Sequence, residues 1–269
     1  MHSPDLPLAA AVQPLLNTAA LGRHWIYEDQ VASTNRTARQ LAAAHLPHGL
    51  VVTADAQSEG RGRHGRRWHS PAGRNLYVSV LLRPAVAATR LPQLSLLVAL
   101  ALRRALVAVC PDLTVVIKWP NDLWVGQRKL AGILCEMEAE QGQVRYVVVG
   151  VGVNVNLSAA ELPPDLAARA TSLRLETGSP VSRPRLLATF LNALEPALSG
   201  WLSAADLTPF SAELGACSLL DGRRIRVDLG RRTVEGLACG VAPDGRLRLR
   251  PDQGAELLLS SGEAHIVGL

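Results

Sequence analysis

Residues 115–155 read VVIKWPNDLWVGQRKLAGILCEMEAEQGQVRYVVVGVGVNV, and their texture decides the fold. The short runs Val115–Ile117, Leu123–Val125, Leu130–Met137 and Arg145–Val155 read as strands or hairpins. Working upstream, Leu91–Val109 is the most apolar stretch, but Arg103 and Arg104 interrupt it. A charged pair costs several kcal/mol in lipid, so a buried helix is expected rather than a membrane span. Leu76, Val78, Val80 and Leu82 alternate with Tyr77, Ser79 and Leu81, which predicts a strand with at least one buried face. Leu50–Ala54 is a further strand, and Gln57–Gly73 a long polar loop. Ser33-Thr34-Asn35 offers cap chemistry to a helix running to about Ala44. Before Ser33 there is room for a short helix and a strand near His24–Glu28, but not for a separate helix-turn-helix module.

Downstream, Ser158–Ala170 is a connection and Arg185–Trp201 an amphipathic helix. From Ser218 the pattern changes: Asp221-Gly222, Asp244-Gly245 and Ser261-Gly262 punctuate short apolar runs, as in a small β-barrel. A boundary near Gly215 divides residues 1–215 from residues 216–269.

Composition narrows the classes. The 269 residues are 48% hydrophobic and 19% charged, which argues against disorder. The first residues carry no basic cluster followed by an apolar block, so no secretory signal is expected, and a soluble cytoplasmic protein is the default. Cys110, Cys135, Cys217 and Cys239 lie far apart without metal-ligand spacing and read as reduced, mostly buried thiols. Net charge is +5, which suits nucleic acid or anionic small molecules. Arginine supplies nearly all of the positive charge. Lys118 and Lys129 are the only lysines, and an ammonium is a compact point charge that a guanidinium does not replace.

Gly60-Arg61-Gly62-Arg63-His64-Gly65 fits GxGxxG, but it runs into Arg66-Arg67-Trp68-His69-Ser70-Pro71 instead of opening a helix. That context argues against a dinucleotide fingerprint. Glycines that let backbone N–H groups approach an anion, interleaved with fork-shaped guanidiniums, suit phosphate or carboxylate binding. A solvated basic loop or a nucleic-acid patch is the alternative reading of the same charges. Trp68 is placed to stack on a purine. Such a self-repelling loop should order around its ligand.

At this point the chain resembles the biotin–protein ligase family. "GRGRHGRRW" (60–68), "KWPND" (118–122), "KLAG" (129–132) and "GVGVN" (150–154) stand in the family's order and at about its spacings, and the likeness runs from Ser33 to the C-terminus. It resembles the monofunctional form, without an N-terminal DNA-binding domain. The resemblance implies an α+β fold: a mixed sheet with helices, like class II aminoacyl-tRNA synthetases and biotin synthetase, followed by a small C-terminal β-barrel. It implies formation of biotinyl-5′-AMP from biotin and MgATP, then transfer to a lysine of a biotin carboxyl carrier domain. No nucleic-acid or membrane partner is implied, and a homodimer is left open.

The resemblance also assigns roles. Lys129, Arg63 and Arg61 become catalytic. Ser33, Thr34, Gln57, Gly60, Arg61, Arg63, Lys129 and Gly132 become biotin-binding. Arg63, Arg66, Trp68, Asn121, Asp122, Lys129 and Asn154 become nucleotide-binding, with Asp122 either a Mg²⁺ ligand or a direct adenylate contact. For Ser33 and Thr34 a plain helix cap is the alternative, and for Gly150 and Gly152 close packing. Trp119 and Trp124 read as core residues outside the site. The C-terminal GEAHIVGL lacks an arginine that often follows the Gly-Glu pair, which puts a ligand contact from the small domain in doubt. Among rivals, a lipoate ligase fits the basic loop and the KWPND block less well.

Overall fold

The computed structural model describes residues 5–230 and 232–267; Gly268 and Leu269 of the GEAHIVGL stretch lie outside the described residues. Among the described residues twelve strands form two sheets. The larger comprises β1 (Trp25–Val31), β2 (Val51–Gln57), β3 (Leu76–Leu82), β4 (Val115–Lys118), β5 (Asp122–Val125), β6 (Arg128–Glu140) and β7 (Gln143–Val153). Its order is β1-β2-β3-β7-β6-β5-β4. Only β1 and β2 pair in parallel; every other neighbouring pair is antiparallel, so the sheet is mixed. The smaller sheet comprises β8 (Arg224–Asp228), β9 (Thr233–Val241), β10 (Leu247–Arg250), β11 (Leu257–Leu259) and β12 (Glu263–Ile266), in the order β11-β10-β9-β8-β12 and antiparallel throughout.

The helices are α1 (Ala9–Val12), α2 (Thr34–Ala43), α3 (Leu91–Val109), α4 (Pro164–Ala167), α5 (Leu173–Thr177), α6 (Arg183–Ala204) and α7 (Ser211–Ala216). Strand periodicity explains how they sit. Successive side chains of β3 alternate between faces, and Leu76, Val78, Val80 and Leu82 enter the main core, which α3 and α6 also fill. Leu81 turns the other way, joining Val52, Val148, Ala38 and Ala42 beneath α2. Both faces of β3 are therefore buried, more than its alternation required.

The apolar helix α3 lies in the core, with Leu94, Leu97, Leu100 and Leu106 all buried. Burying each such leucine is worth about 1.5–3 kcal/mol. A stretch including it (Ala88–Val109) is long and apolar enough to cross a membrane, but most of its 18-residue window is buried inside the protein. The two arginines that interrupt it find partners at its edge: Arg103 Nε donates to the Val115 carbonyl at 2.9 Å and Arg104 Nε to Glu213 at 3.0 Å.

Ser33 occupies the N-cap position of α2 in extended conformation, yet its side chain makes no capping hydrogen bond. The Thr34 N–H donates instead to Gln57 Oε1 at 2.9 Å. The expected cap is thus supplied by the end of β2, which leaves the Ser33 hydroxyl without that duty.

Arg183, 1% exposed, fastens the N-terminal segment to the sheet. It donates to Asp5 at 3.0 Å, to Asp55 at 2.8 Å and to the Asn75 carbonyl at 3.1 Å. Removing one partner of a buried ionic network strands the others without counter-charge. Arg183→Met is expected to cost about 3 kcal/mol, measured by urea unfolding; a loss below about 0.5 kcal/mol would show that the network carries no stability.

Candidate active site

A row of residues crosses the larger sheet on the face that α2 partly covers. Tyr77 pairs with Gly152, Gly152 with Gly132, Gly132 with Asp122, and Asp122 with Lys118. Cross-strand partners share a face, and all five residues line one cleft of about 640 Å³. Two positions of the row have no side chain, so the floor there is bare backbone.

The glycines have separate tasks. A Cβ on Gly152 would come within 2.7 Å of the Trp68 indole, and one on Gly132 within 3.2 Å of both Trp68 and Lys129 Nζ. Trp68 therefore lies flat on the floor because both strands are bare beneath it. A Cβ on Gly150 would fall 2.1 Å from Asn35 Oδ1. That amide is buried and holds α2 to the sheet, donating to Glu136 at 2.8 Å and accepting from Ser79 Oγ at 2.6 Å. The packing alternative for these glycines is correct in part: what packs against Gly152 is itself a candidate site residue.

Trp68 is delivered by the basic loop, which is a short hairpin. Arg61 bridges Arg67, the Gly62 N–H donates to the Arg66 carbonyl at 2.7 Å, and the Trp68 N–H donates to the Gly60 carbonyl at 2.9 Å. Its tip turns through His64 and Gly65 with φ of 55° and 73°. The glycine-rich signature opens no long helix; Arg63–Gly65 form a single 3₁₀ turn in which His64 is left-handed. Gly60 departs from expectation. It is buried and does not line the cleft, because a Cβ there would meet Ser70 Oγ and the Trp68 carbonyl at 2.5 Å. Its place is at the closed base of the hairpin, outside the cleft lining.

The other twelve predicted residues all line the cleft: Ser33, Thr34, Gln57, Arg61, Arg63, Arg66, Trp68, Asn121, Asp122, Lys129, Gly132 and Asn154. At one end Thr34 Oγ1 lies 2.8 Å from Ser79 Oγ and 3.3 Å from Gln57 Oε1. Gln57 Nε2 donates to Ser70 at 3.0 Å. In the middle Lys129 Nζ stands 2.7 Å from Asp122 Oδ1 and 5.4 Å from the Trp68 ring. That contact is an ion pair without an aligned hydrogen bond, since Asp122 Oδ1 has no hydrogen-bond donor. The backbone of Lys129 is clamped by the downstream connection: its N–H donates to the Arg169 carbonyl at 2.8 Å and its carbonyl accepts from Thr171 at 3.0 Å.

Arg63 reaches Asn121 Oδ1 at 3.1 Å; burial lowers its pKa while Asp122 and Glu263 oppose the shift. Asn121 donates in turn to the Ile133 carbonyl at 2.8 Å, and Asn154 to the Thr171 carbonyl at 2.9 Å. The Trp68 indole N–H is buried with no acceptor.

Sequence reasoning missed residues at the far end. Glu263, from β12, grips Arg66 through both guanidinium nitrogens. The Gly-Glu pair had been noted only for what followed it. Lys118 and Trp124 also line the cleft, and Trp119, though buried, borders it while its indole donates to the Gly245 carbonyl at 3.1 Å, tying the two sheets together. Their signal was the KWPND block itself.

The family comparisons agree with this geometry. A model of the "Biotin/lipoate A/B protein ligase family" matches residues 27–154, and one of the "Biotin protein ligase C terminal domain" matches residues 222–266. The biotin–[acetyl-CoA-carboxylase] ligase of Mycobacterium tuberculosis is 36% identical over 253 residues, covering 90% of each chain.

The chain belongs to the biotin–protein ligase family.

The bifunctional ligase/repressor BirA of Bacillus subtilis is 35% identical over 246 residues, covering 91% of this chain and 75% of that protein. In three dimensions, the biotin protein ligase of Aquifex aeolicus in complex with biotin and ATP superposes with a TM-score of 0.76 at 28% identity, covering 90% of this chain and 98% of that one.

The Arg66–Glu263 contact is half exposed, so it is worth about 1 kcal/mol at most. The Arg66 guanidinium holds Glu263 below the usual carboxylate range. Because the folded pKa is depressed, the contact contributes fully above the unfolded carboxylate pKa and is lost as pH falls through the lower, folded one. Glu263→Gln is expected to raise the rate of trypsin cleavage after Arg66 by up to about fivefold at neutral pH, followed by peptide mass. An unchanged rate would mean that the loop is held by the hairpin alone.

Proposed function

We propose that this cleft joins biotin to ATP and then passes the biotinyl group to a lysine of a biotin carboxyl carrier domain. The chain is an AMP-forming ligase. The observation that carries the reading is the placement of Lys129 between Asp122 and Trp68 on a glycine floor, with the loop arginines opposite.

In the first step a biotin carboxylate oxygen bonds to the α-phosphorus of ATP, and the bond from that phosphorus to the bridging oxygen breaks, releasing pyrophosphate. Two anions must meet, and preorganised cations offset their repulsion without reorganising at the moment of reaction. We assign that task to Lys129, Arg61 and Arg63. Ser33, Thr34 and Gln57, at the polar end, suit the neutral ureido ring, where an unmatched buried group costs about 1–3 kcal/mol. Gly132 admits the ligand close to backbone, Trp68 offers its face to the adenine, and Arg66, Asn121 and Asn154 complete the nucleotide side. In the second step the acceptor amine attacks the acyl carbon, AMP leaves, and the amine gives up a proton.

Magnesium enters as part of MgATP. Among the described residues no group of three His, Cys, Asp or Glu is arranged for a resident metal. Mg²⁺ bound through phosphates needs only one or two carboxylates, and Asp122 in the cleft fits that need. The acceptor lysine belongs to the carrier domain, because both lysines of this chain line the cleft. The four unpaired thiols suit a reducing compartment, and we place the enzyme in the cytoplasm.

Incubated with biotin, MgATP and a carboxyl carrier domain, the protein should add one biotinyl group to that domain, read by intact mass. Lys129→Ala should lower biotin-dependent pyrophosphate release by about 10²–10³-fold. A wild-type protein that releases no pyrophosphate, or that prefers lipoate in calorimetry, would overturn the reading.

A further inference from the structure

Lys118 is the second of the chain's two lysines and ends the cross-sheet row on β4, one strand beyond Asp122. Its ammonium lies 4.5 Å from the centre of the Trp124 ring, and the side chain lines the cleft, half-buried. The other cations at this end already have partners. Arg66 holds Glu263, Lys129 holds Asp122 and Arg63 holds Asn121. Among the described residues Lys118 has neither an ion pair nor a hydrogen bond, only the ring face. Burial draws its pKa below the ordinary lysine range, against the opposing pull of Asp122 and Glu263. Such a position is costly for an ammonium unless an anion joins it.

Its place along the cleft says which anion. Displacement at phosphorus runs roughly in line, with nucleophile and leaving group on opposite sides. The polar end at Ser33, Thr34 and Gln57 lies on the β2–β3 side, and Lys129 stands on β6. Lys118 stands on the far side of Lys129, on edge strand β4, about 10 Å further across the sheet at roughly 4.8 Å per strand.

We propose that Lys118, steadied on the Trp124 face, binds the departing pyrophosphate, that is, the β- and γ-phosphates of ATP. The assignment rests on the adenylating reading above. When the α-phosphorus bonds to the carboxylate oxygen, the electrons of its broken bond pass to the pyrophosphate oxygen, and the Lys118 charge offsets the negative charge developing there. Asp122 and Glu263 are the internal anions that act on Lys118; Asp122 is taken up by Lys129, and the bidentate hold of Glu263 on Arg66 keeps a second cation beside Lys118 until phosphate competes for it.

Lys118→Met and Lys118→Arg, compared with wild type, test the assignment through two reactions. Biotin-dependent exchange of labelled pyrophosphate into ATP involves the leaving group. Transfer from supplied biotinyl-5′-AMP to the carrier domain does not. Lys118→Met should raise the KM for pyrophosphate and for ATP by about 10- to 100-fold. It should leave biotin affinity and adenylate transfer within about twofold of wild type, and Lys118→Arg should recover most of the loss. An unchanged pyrophosphate KM in an active Lys118→Met enzyme overturns the proposal, as does an equal loss in transfer, which would put Lys118 at the acyl end. Should Lys118→Met not fold, Lys118→Gln takes its place: its pyrophosphate KM must rise without an equal loss in transfer, and no rise overturns the proposal. A wild-type enzyme inactive in both reactions refutes the ligase reading itself.

Discussion

Everything in the cleft depends on the ion pair between Asp122 and Lys129. Four loop arginines and a second lysine already face the same space, and like charges gathered in a half-buried site repel one another. Asp122 is fixed opposite Gly132 by the pairing of β5 with β6, and the neighbouring connection clamps the Lys129 backbone from both sides. The ammonium is therefore held at a set height above the glycine floor before any ligand arrives. The ion pair keeps this side chain pointed into the cleft.

The pairing has a second consequence. A carboxylate beside the central cation lowers the net positive charge that the empty cleft must tolerate, and Glu263 does the same for Arg66 at the far end. Both contacts are partly solvated and individually weak. The small sheet thus completes the site electrostatically, through a residue on β12, and mechanically, through the Trp119–Gly245 hydrogen bond.

How far the sequence discloses this depends on the range of the interaction concerned. Strand alternation in Leu76–Leu82, the apolar run of α3 and the Asp-Gly turns after Ser218 are local, and they name their elements directly. The motif residues were legible because their chemistry is unusual at fixed spacing: two lysines in a chain of 28 basic residues, arginines interleaved with glycines. What stayed hidden is long-range. That Gly60 closes a hairpin behind Trp68 follows from its contacts with Ser70 and the Trp68 carbonyl, which no spacing reveals. That Gly150 makes room for Asn35, 115 positions away in the chain, requires the register of β7 and the docking of α2 to be known together. Likewise Glu263 and Arg66 are 197 residues apart.

Trp124 shows the same limit from the other side. A tryptophan in a strand most often belongs to a core, and its neighbours Leu123 and Val125 supported that reading. The β-bulge between Leu123 and Trp124 changes the register against β6 at that point, while across β4 Trp124 faces Val116, two residues from Lys118. Side chains two apart on a strand share a face, so the indole lies beside the lysine while it also packs against the main core. A residue type that normally fills a core thereby becomes the platform for a charge, and only strand pairing distinguishes the two uses.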